Sequence, residues 1–381
     1  MTIGFASRAA VSTCVLCTAG LLVLAPAAAT AGADPGPDAA ATASSPLHRP
    51  GTQVRPRPGA PEVPEVSALS WLVADARTGD VLAAHDAHRR LPPASTLKTL
   101  FALTVLPALP AGIRHRVSER ELADIGPGSS LVGVAEDRAY RVSDLWNGVF
   151  LSSGNDAVRV LATLSGGWRA TAERMQAEAR ALGARDTRVK SPDGYDTPGQ
   201  VSSAFDLAVF GRAGLRNAEF ARYCARHEAR FPARDGGSFG IVNTNRLLTG
   251  ADGVEAYDGL VGIKNGYTSN AGNTLVAAAR RDGHTLVVTV MNPQSGGGHA
   301  VYEEARSLLD WGFEATGRVD PVGSLDALRP GPLRGPEAEP AARRHRAPAH
   351  PPAWPVGAAA LLGAAGVSLY LRLRWGPVPT D

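Results

Sequence analysis

Three lysines stand among thirty-six arginines in this 381-residue chain, and two of them, Lys98 and Lys264, fall in short runs suited to acyl transfer. An arginine guanidinium stays protonated in proteins, whereas a lysine amine can lose its proton when water is stripped from around it. A chain that writes arginine for ordinary positive charge thus marks the places where an amine is wanted. Lys98 closes the run Ser95-Thr96-Leu97-Lys98. A serine hydroxyl is a weak nucleophile until a base takes its proton, and a lysine three residues on along a helix lies on the same face within one turn. Lys98 can be that base only when neutral. Burial in a cleft and a second nearby ammonium, which Lys264 could supply, both depress a lysine pKa. At a helix start, Ser95 also turns its backbone N–H outward, where it can meet a developing oxyanion.

Two further runs join this pair: Ser153-Gly154-Asn155, and Lys264-Asn265-Gly266-Tyr267-Thr268. Each has a plain structural reading of its own. The first can be a loop capping a helix that begins at Asp156, and the second a β-turn with a surface lysine. Ser95 can likewise be a simple N-cap, although a lysine in the first turn opposes the helix dipole. Gly266 on a strand edge would let a substrate backbone lie close. Taken together, the order, the spacing and the scarcity of lysine make the three runs one constellation. The third lysine, Lys190, reads as a surface charge. The nine histidines are scattered without a His-Glu-x-x-His run, so no metal site and no cofactor is expected, and His299 near Glu303 reads as a helix-start pair.

The elements that must position these residues can be read around them. Ala68–Ala76 and Val81–His85 flank Arg77-Thr78-Gly79-Asp80 as a β-hairpin. Leu97, Leu100, Phe101, Thr104 and Val105 recur at helical spacing after Ser95 and stop before Pro107. From about Ser118 to Arg230 the pattern is mostly helical, with segments at Val142–Leu151, Asp156–Leu164, Trp168–Leu182 and Ser203–Ala213. Strands return at Gly259–Ile263, Asn273–Arg280 and His284–Met291, and a closing helix runs over Ala300–Trp311. Strands at both ends of the unit and helices between them predict an α+β fold: one antiparallel sheet built from the N- and C-terminal strands, with an inserted helical lobe. The three motifs then meet where sheet and lobe join, a place where clefts form.

The ends of the chain read differently. Residues 1–31 carry Arg8, an apolar run from Ala9 to Ala28 and a small-residue exit, the pattern of a secretory signal peptide. Residues 32–64 and 319–352 are rich in Pro and Ala, the second also in Arg, and are expected to be extended linkers around a domain at 65–318. Residues 353–371 form an uncharged run long enough to cross a bilayer, flanked by Trp354, Arg372 and Arg374, and leave a cytoplasmic tail at 372–381. The expectation is an exported protein with its bulk outside and one C-terminal span in the membrane. Cys14 and Cys17 would leave with the signal, and Cys224 alone cannot make an internal disulfide. A net charge of +3, with no basic stripe and no interleaved aromatics, gives no sign of nucleic-acid binding.

On these motifs the chain resembles the D-alanyl-D-alanine carboxypeptidases, the low-molecular-mass penicillin-binding proteins. The likeness spans about residues 65–315 and includes Pro93-Ala94-Ser95-Thr96-Leu97-Lys98, Ser153-Gly154-Asn155, Ser191-Pro192-Asp193-Gly194, Asn243-Thr244-Asn245-Arg246 and Lys264-Asn265-Gly266-Tyr267-Thr268. The resemblance implies the fold shared by β-lactamases and penicillin-binding transpeptidases. It also implies that Ser95 attacks the carbonyl between two D-alanines of a peptidoglycan stem peptide, with Lys98 accepting its proton and Ser153 passing a proton to the departing amine. In the same reading Asn155 holds the substrate amide and steadies Lys98. Lys264 holds Ser153 and the terminal carboxylate, with Asn265, Gly266, Tyr267 and Thr268 along the substrate, and the backbone N–H groups of Ser95 and Tyr267 form the oxyanion hole. β-Lactams are then inhibitors trapped on Ser95. The family usually has Thr where this chain has Asn265, which raises a catalytically weak muropeptide sensor as an alternative. A DD-transpeptidase and a β-lactamase would use the same acyl-enzyme, although no Glu-x-x-Leu-Asn-like segment follows Ser153.

Overall fold

A computed structural model describes residues 45–329; the expected signal peptide, transmembrane helix and tail lie outside the described residues. Twelve strands are formed among them: β1 (Thr52–Pro56), β2 (Ala68–Asp75), β3 (Asp80–His85), β4 (Arg114–Arg116), β5 (Ala139–Arg141), β6 (Glu228–Pro232), β7 (Ser238–Val242), β8 (Leu260–Thr268), β9 (Gly272–Arg281), β10 (His284–Pro293), β11 (Val319–Asp320) and β12 (Gly323–Ser324). The apolar runs of β2, β9 and β10 pair antiparallel at the centre of a sheet ordered β11-β1-β3-β2-β10-β9-β8, with β12 added to β3. Val288 faces Val73 across one pair and Ala277 across the other. The two ends of the chain are thus joined in one sheet, as the strand pattern predicts.

β9 reads Leu275-Val276-Ala277-Ala278-Ala279 without alternation because both its faces are covered, and all five residues are buried. On one face lies the closing helix Ala300–Ala315, whose Val301, Leu308 and Leu309 join Leu275, Val288 and Val290 in one core. On the other face Leu72, Val276 and Val287 meet the helical lobe, including helices Lys98–Val105 and Ala204–Leu215. The lobe is centred on aromatic packing: Phe101 and Trp146 rings lie 5.4 Å apart, and Phe150 meets Phe220 edge-on at 5.2 Å. Such contacts fix relative ring orientations as well as burying area. Cys224 is a fully buried filler here, and burial pushes its thiol up to about 12.

Three expectations are corrected. The stretch 32–64 is not a linker throughout: Val54 pairs with Ala83 across β1 and β3, and Leu47 is 3% exposed beneath it. β1 pairs along β3, and a short strand with a terminal Pro and an Arg lacks the apolar alternation that would have revealed it. Residues 319–329 are likewise folded, with Val319, Val322, Leu325 and Leu328 buried and β11 paired to β1. The folded unit therefore runs from 45 to 329 among the described residues. Finally, helices occupy Val142–Leu151, Asn155–Leu164, Trp168–Ala181 and Ala204–Leu215 as expected, but residues 182–203 are loop and β6 and β7 form a hairpin from Glu228 to Val242.

Candidate active site

Ser95 sits in a single 3-10 turn, Ala94–Leu97, and the α-helix proper begins at Lys98. The tighter turn still brings serine and lysine together: Lys98 Nζ is 2.8 Å from Ser95 Oγ. The same amine donates to the Asp193 carbonyl at 2.6 Å. Gly194, which follows, takes φ +81°, and a Cβ there would lie 2.0 Å from the Ala94 carbonyl oxygen. Only glycine lets this loop come so close to the residue before Ser95.

The second motif is a strained turn. Ser153 has φ 57°, in the left-handed region, and Asn155 opens the helix Asn155–Leu164. Ser153 and Asn155 are 7% and 5% exposed, and Ser153 Oγ and Asn155 Oδ1 have no hydrogen-bond partner among the described residues. Buried polar atoms are normally paired, and a catalytic role is one reason for an exception. Neither the bond expected between Asn155 and Lys98 nor that between Lys264 and Ser153 is formed among the described residues. What holds this turn is Asp156, whose carboxylate accepts from the backbone N–H of Val132, Gly133 and Val134 at 3.0, 2.8 and 2.8 Å. The Asn155 N–H adds a bond to Ser130 O at 2.8 Å.

The third motif lies within β8, longer than the expected Gly259–Ile263 and at the free edge of the main sheet. A Cβ on Gly266 would fall 2.6 Å from the Ser95 nitrogen, so the strand passes directly against the Ser95 amide. Thr274 clamps this approach, its hydroxyl 3.0 Å from Pro93 O and 3.3 Å from Gly266 O. Tyr267 projects with 67% of its surface exposed. The Thr268 hydroxyl is engaged by Asp196 at 2.7 Å. Asn265 turns its amide to a different group: Oδ1 accepts from Thr244 Oγ1 at 3.1 Å, and Nδ2 donates to Tyr302 OH at 3.2 Å. Lys264 Nζ donates to the Asn265 carbonyl at 2.7 Å.

Lys98 and Lys264 are each 1% exposed. Burial lowers Lys98 to about 8, partly opposed by the Asp193 and Asp156 carboxylates. Burial, with repulsion from Lys98 added, holds Lys264 well below the ordinary lysine value. The sequence suggested burial and a Lys264 ammonium as the two causes that depress Lys98; burial is the largest cause for both amines, and the repulsion between them bears on Lys264.

Ser95, Asn155, Tyr267 and Thr268 line one cleft of about 160 Å³, closed by the 127–130 loop and by Gly194-Tyr195-Asp196. The sequence reading missed Asp196, Thr274 and the 127–130 loop, and gave Asp156, Asp193 and Thr244 no role in the site although each stands in or beside a motif. Their only sequence signal was proximity to those motifs. Among the described residues no group of His, Cys, Asp and Glu is arranged to hold a metal, and Lys190 stands away from the cleft, beside Gly199.

Residues 57–295 match the family model described as D-alanyl-D-alanine carboxypeptidase. The chain is 39% identical over 270 residues to the D-alanyl-D-alanine carboxypeptidase DacB2 of Mycobacterium tuberculosis, covering 70% of this chain and 89% of that one. It is 35% identical to the D-alanyl-D-alanine carboxypeptidase DacD of Escherichia coli, covering 67% of this chain and 65% of DacD. The crystal structure of a D-alanyl-D-alanine carboxypeptidase from M. tuberculosis H37Rv superposes with a TM-score of 0.65 at 37% identity, covering 71% of this chain and 100% of that one.

Proposed function

Because the chain belongs to the D-alanyl-D-alanine carboxypeptidase family, we propose that Ser95 is its acylated nucleophile and Lys98 the base that activates it. The protein is a serine-type hydrolase that removes the terminal D-alanine from peptidoglycan stem peptides, and the family's β-lactam chemistry takes place at the same class of site. The observation that carries the residue assignment is the 2.8 Å contact between Ser95 Oγ and a lysine amine that is 1% exposed. Such an amine can be neutral near physiological pH, as a general base must be.

Binding completes the charge arrangement. A substrate carboxylate beside Lys264 favours its ammonium, and that charge opposes a proton on Lys98. Ser95 Oγ then bonds to the carbonyl carbon while its proton passes to Lys98 Nζ, and the oxyanion takes hydrogen bonds from the Ser95 and Tyr267 N–H groups. The close pass of Gly266 against the Ser95 nitrogen supports that pairing. Collapse breaks the C–N bond, and the proton returns through Ser153 Oγ to the departing amine. Water attacks the ester by the same route in reverse, releasing the shortened peptide and restoring Ser95. The unpartnered Ser153 Oγ and Asn155 Oδ1 support their assignment to the relay and to the substrate amide. Tyr267 and Thr268 line the acyl side of the cleft. Asn265, held by Thr244 and Tyr302, keeps the strand edge and Lys264 in register.

The signal-like residues 1–31 support export, and the apolar run 353–371 supports a single C-terminal anchor that leaves the folded unit extracytoplasmic. The test uses the full chain in detergent. Fluorescent penicillin should label wild type but not Ser95→Ala, and D-alanine should be released from a peptide ending in D-Ala-D-Ala by wild type alone. Labelling of Ser95→Ala at the wild-type level would remove Ser95 from its role, and rapid penicillin turnover would turn the assignment to a β-lactamase. Release of the protein from membranes on deletion of 353–371 tests the anchor; continued sedimentation with membranes would refute it.

A further inference from the structure

The cleft is electrically polarised along its length. Two buried amines, Lys98 and Lys264, stand behind the nucleophile, and Asp196 is the only charged side chain among the residues that line the cleft. Asp196 also lines a second cavity of about 360 Å³ that shares Gly194 and Tyr195 with the first and continues under Pro92, Pro93 and Asn270. There too it is the only charged group among the lining residues. Its carboxylate is half-buried and fixed: Oδ1 accepts from Thr268 Oγ1 at 2.7 Å and Oδ2 from the Asn270 N–H at 3.2 Å. The loop behind it is pinned by Tyr195, whose hydroxyl donates to Pro127 O at 2.8 Å. An ionised carboxylate offers about four acceptor sites, so two bonds leave it able to take another donor.

A peptide whose terminal carboxylate lies beside Lys264 and whose scissile carbonyl meets Ser95 must send its remaining residues along Tyr267 and Thr268, toward Asp196. We propose that Asp196 is a specificity residue: it accepts an ammonium carried on the side chain of the residue next inward from the scissile D-Ala-D-Ala pair, and so selects peptides with a cationic diamino acid there. This rests on the carboxypeptidase reading and adds to it the chemistry of the acyl side. The pre-fixed carboxylate lowers the entropy lost on pairing, and the sign pattern of the cleft, amines at one end and carboxylate at the other, opposes the reversed orientation of such a peptide.

The test compares two peptides on the full-length enzyme, Nα-acetyl-Lys-D-Ala-D-Ala and its Nε-acetylated form, by D-alanine release. Wild type is expected to prefer the free amine by about five- to tenfold in kcat/KM, the range for a charge pair at a half-buried site, with the difference carried by KM and shrinking as salt is raised. D196N, which keeps an acceptor for Thr268 but loses the charge, is expected to bring the ratio close to one. Because the ratio is taken within one protein sample, it does not depend on how much of the variant is active. Equal kcat/KM for the two peptides in wild type, or an undiminished preference in D196N, would overturn the assignment of Asp196 while leaving the hydrolase intact. Release from neither peptide by wild type would sink the hydrolase reading and this one with it.

Discussion

In the proposed mechanism the protonation of Lys98 sets the rate of acylation, and its folded value of about 8 makes that dependence measurable. A base with this pKa is neutral in about one tenth of molecules at pH 7, one half at pH 8 and nine tenths at pH 9. The second-order rate constant for labelling by fluorescent penicillin should therefore rise about fivefold from pH 7 to pH 8 and less than twofold from pH 8 to pH 9. Replacing Lys98 by Arg keeps the charge but removes any accessible neutral form, and replacing it by Met removes the base altogether. Each should lower labelling by about 10²- to 10⁴-fold and flatten the profile. The coupling between the amines gives a sharper check. In Lys264→Arg a permanent cation faces Lys98, so the midpoint should fall below 8, whereas in Lys264→Met it should stay near 8 because burial, the dominant cause, is unchanged. Labelling is read by quenching timed samples and quantifying the fluorescent band across the pH series. A profile flat from pH 7 to pH 9, or a Lys264→Arg midpoint no lower than that of Lys264→Met, would refute the reasoning.

Other residues yield separate expectations. Gly266→Ala places a methyl 2.6 Å from the Ser95 nitrogen, so labelling should fall by at least about tenfold while the melting temperature moves little; normal labelling would show that the strand can step back. Leu47→Ala should lower unfolding free energy by about 2–3 kcal/mol in denaturant titrations, since Leu47 is 3% exposed; an unchanged midpoint would return this segment to the status of a linker. Asp206 is fully buried, and burial with the neighbouring Asp186 charge raises it to about 7. Its folded pKa lies above its unfolded value, so the stability it contributes is fully present below about pH 4 and is lost as pH rises through 7. Asp206→Asn should remove a fall on the order of 4 kcal/mol between those limits; if wild type and variant show the same slope in chemical denaturation from pH 4 to pH 7, the group is not the source.

What the sequence disclosed and what it hid follow from where each signal is stored. Val142, Leu145, Trp146, Val149 and Phe150 repeat at helical spacing and are all buried, so that helix was legible at both ends. The β6–β7 hairpin was not: of its ten residues only Phe231 and Ile241 are buried, and a strand pair lying mostly in solvent writes little apolar pattern. Rarity picked out Lys98 and Lys264, but not how far each is shifted below the ordinary lysine value, because that depends on a burial created by segments far apart in the chain. Thr268 shows the same limit. Its place in the third motif suggested a free substrate contact, whereas its hydroxyl is taken by Asp196, 72 residues earlier. The Asn265 amide is similarly committed to Thr244 and Tyr302, partners that no local spacing could reveal.

In the proposed mechanism the three motifs supply the reacting atoms, and residues given no chemical role there hold them together. Thr274 ties the carbonyl before Ala94 to the strand that carries Gly266. Asp156 ties the loop at 132–134 to the turn that carries Ser153, and the Asp193 carbonyl grips Lys98. These clamps act where the backbone is least at ease. Ala94 and Ser153 have φ of 49° and 57°, a region that disfavours residues with a Cβ by roughly 1–3 kcal/mol each. One strained residue directly precedes Ser95, and the other is Ser153, whose hydroxyl is the proposed relay. Strain of that size persists only when several bonds over-determine the conformation, and each site has such bonds beside it. Local energy is thus given up to hold Ser95 and Ser153 in fixed poses. That fixity matters here because Ser153 Oγ and Asn155 Oδ1 have no hydrogen-bond partner among the described residues, so the backbone pose constrains where they point.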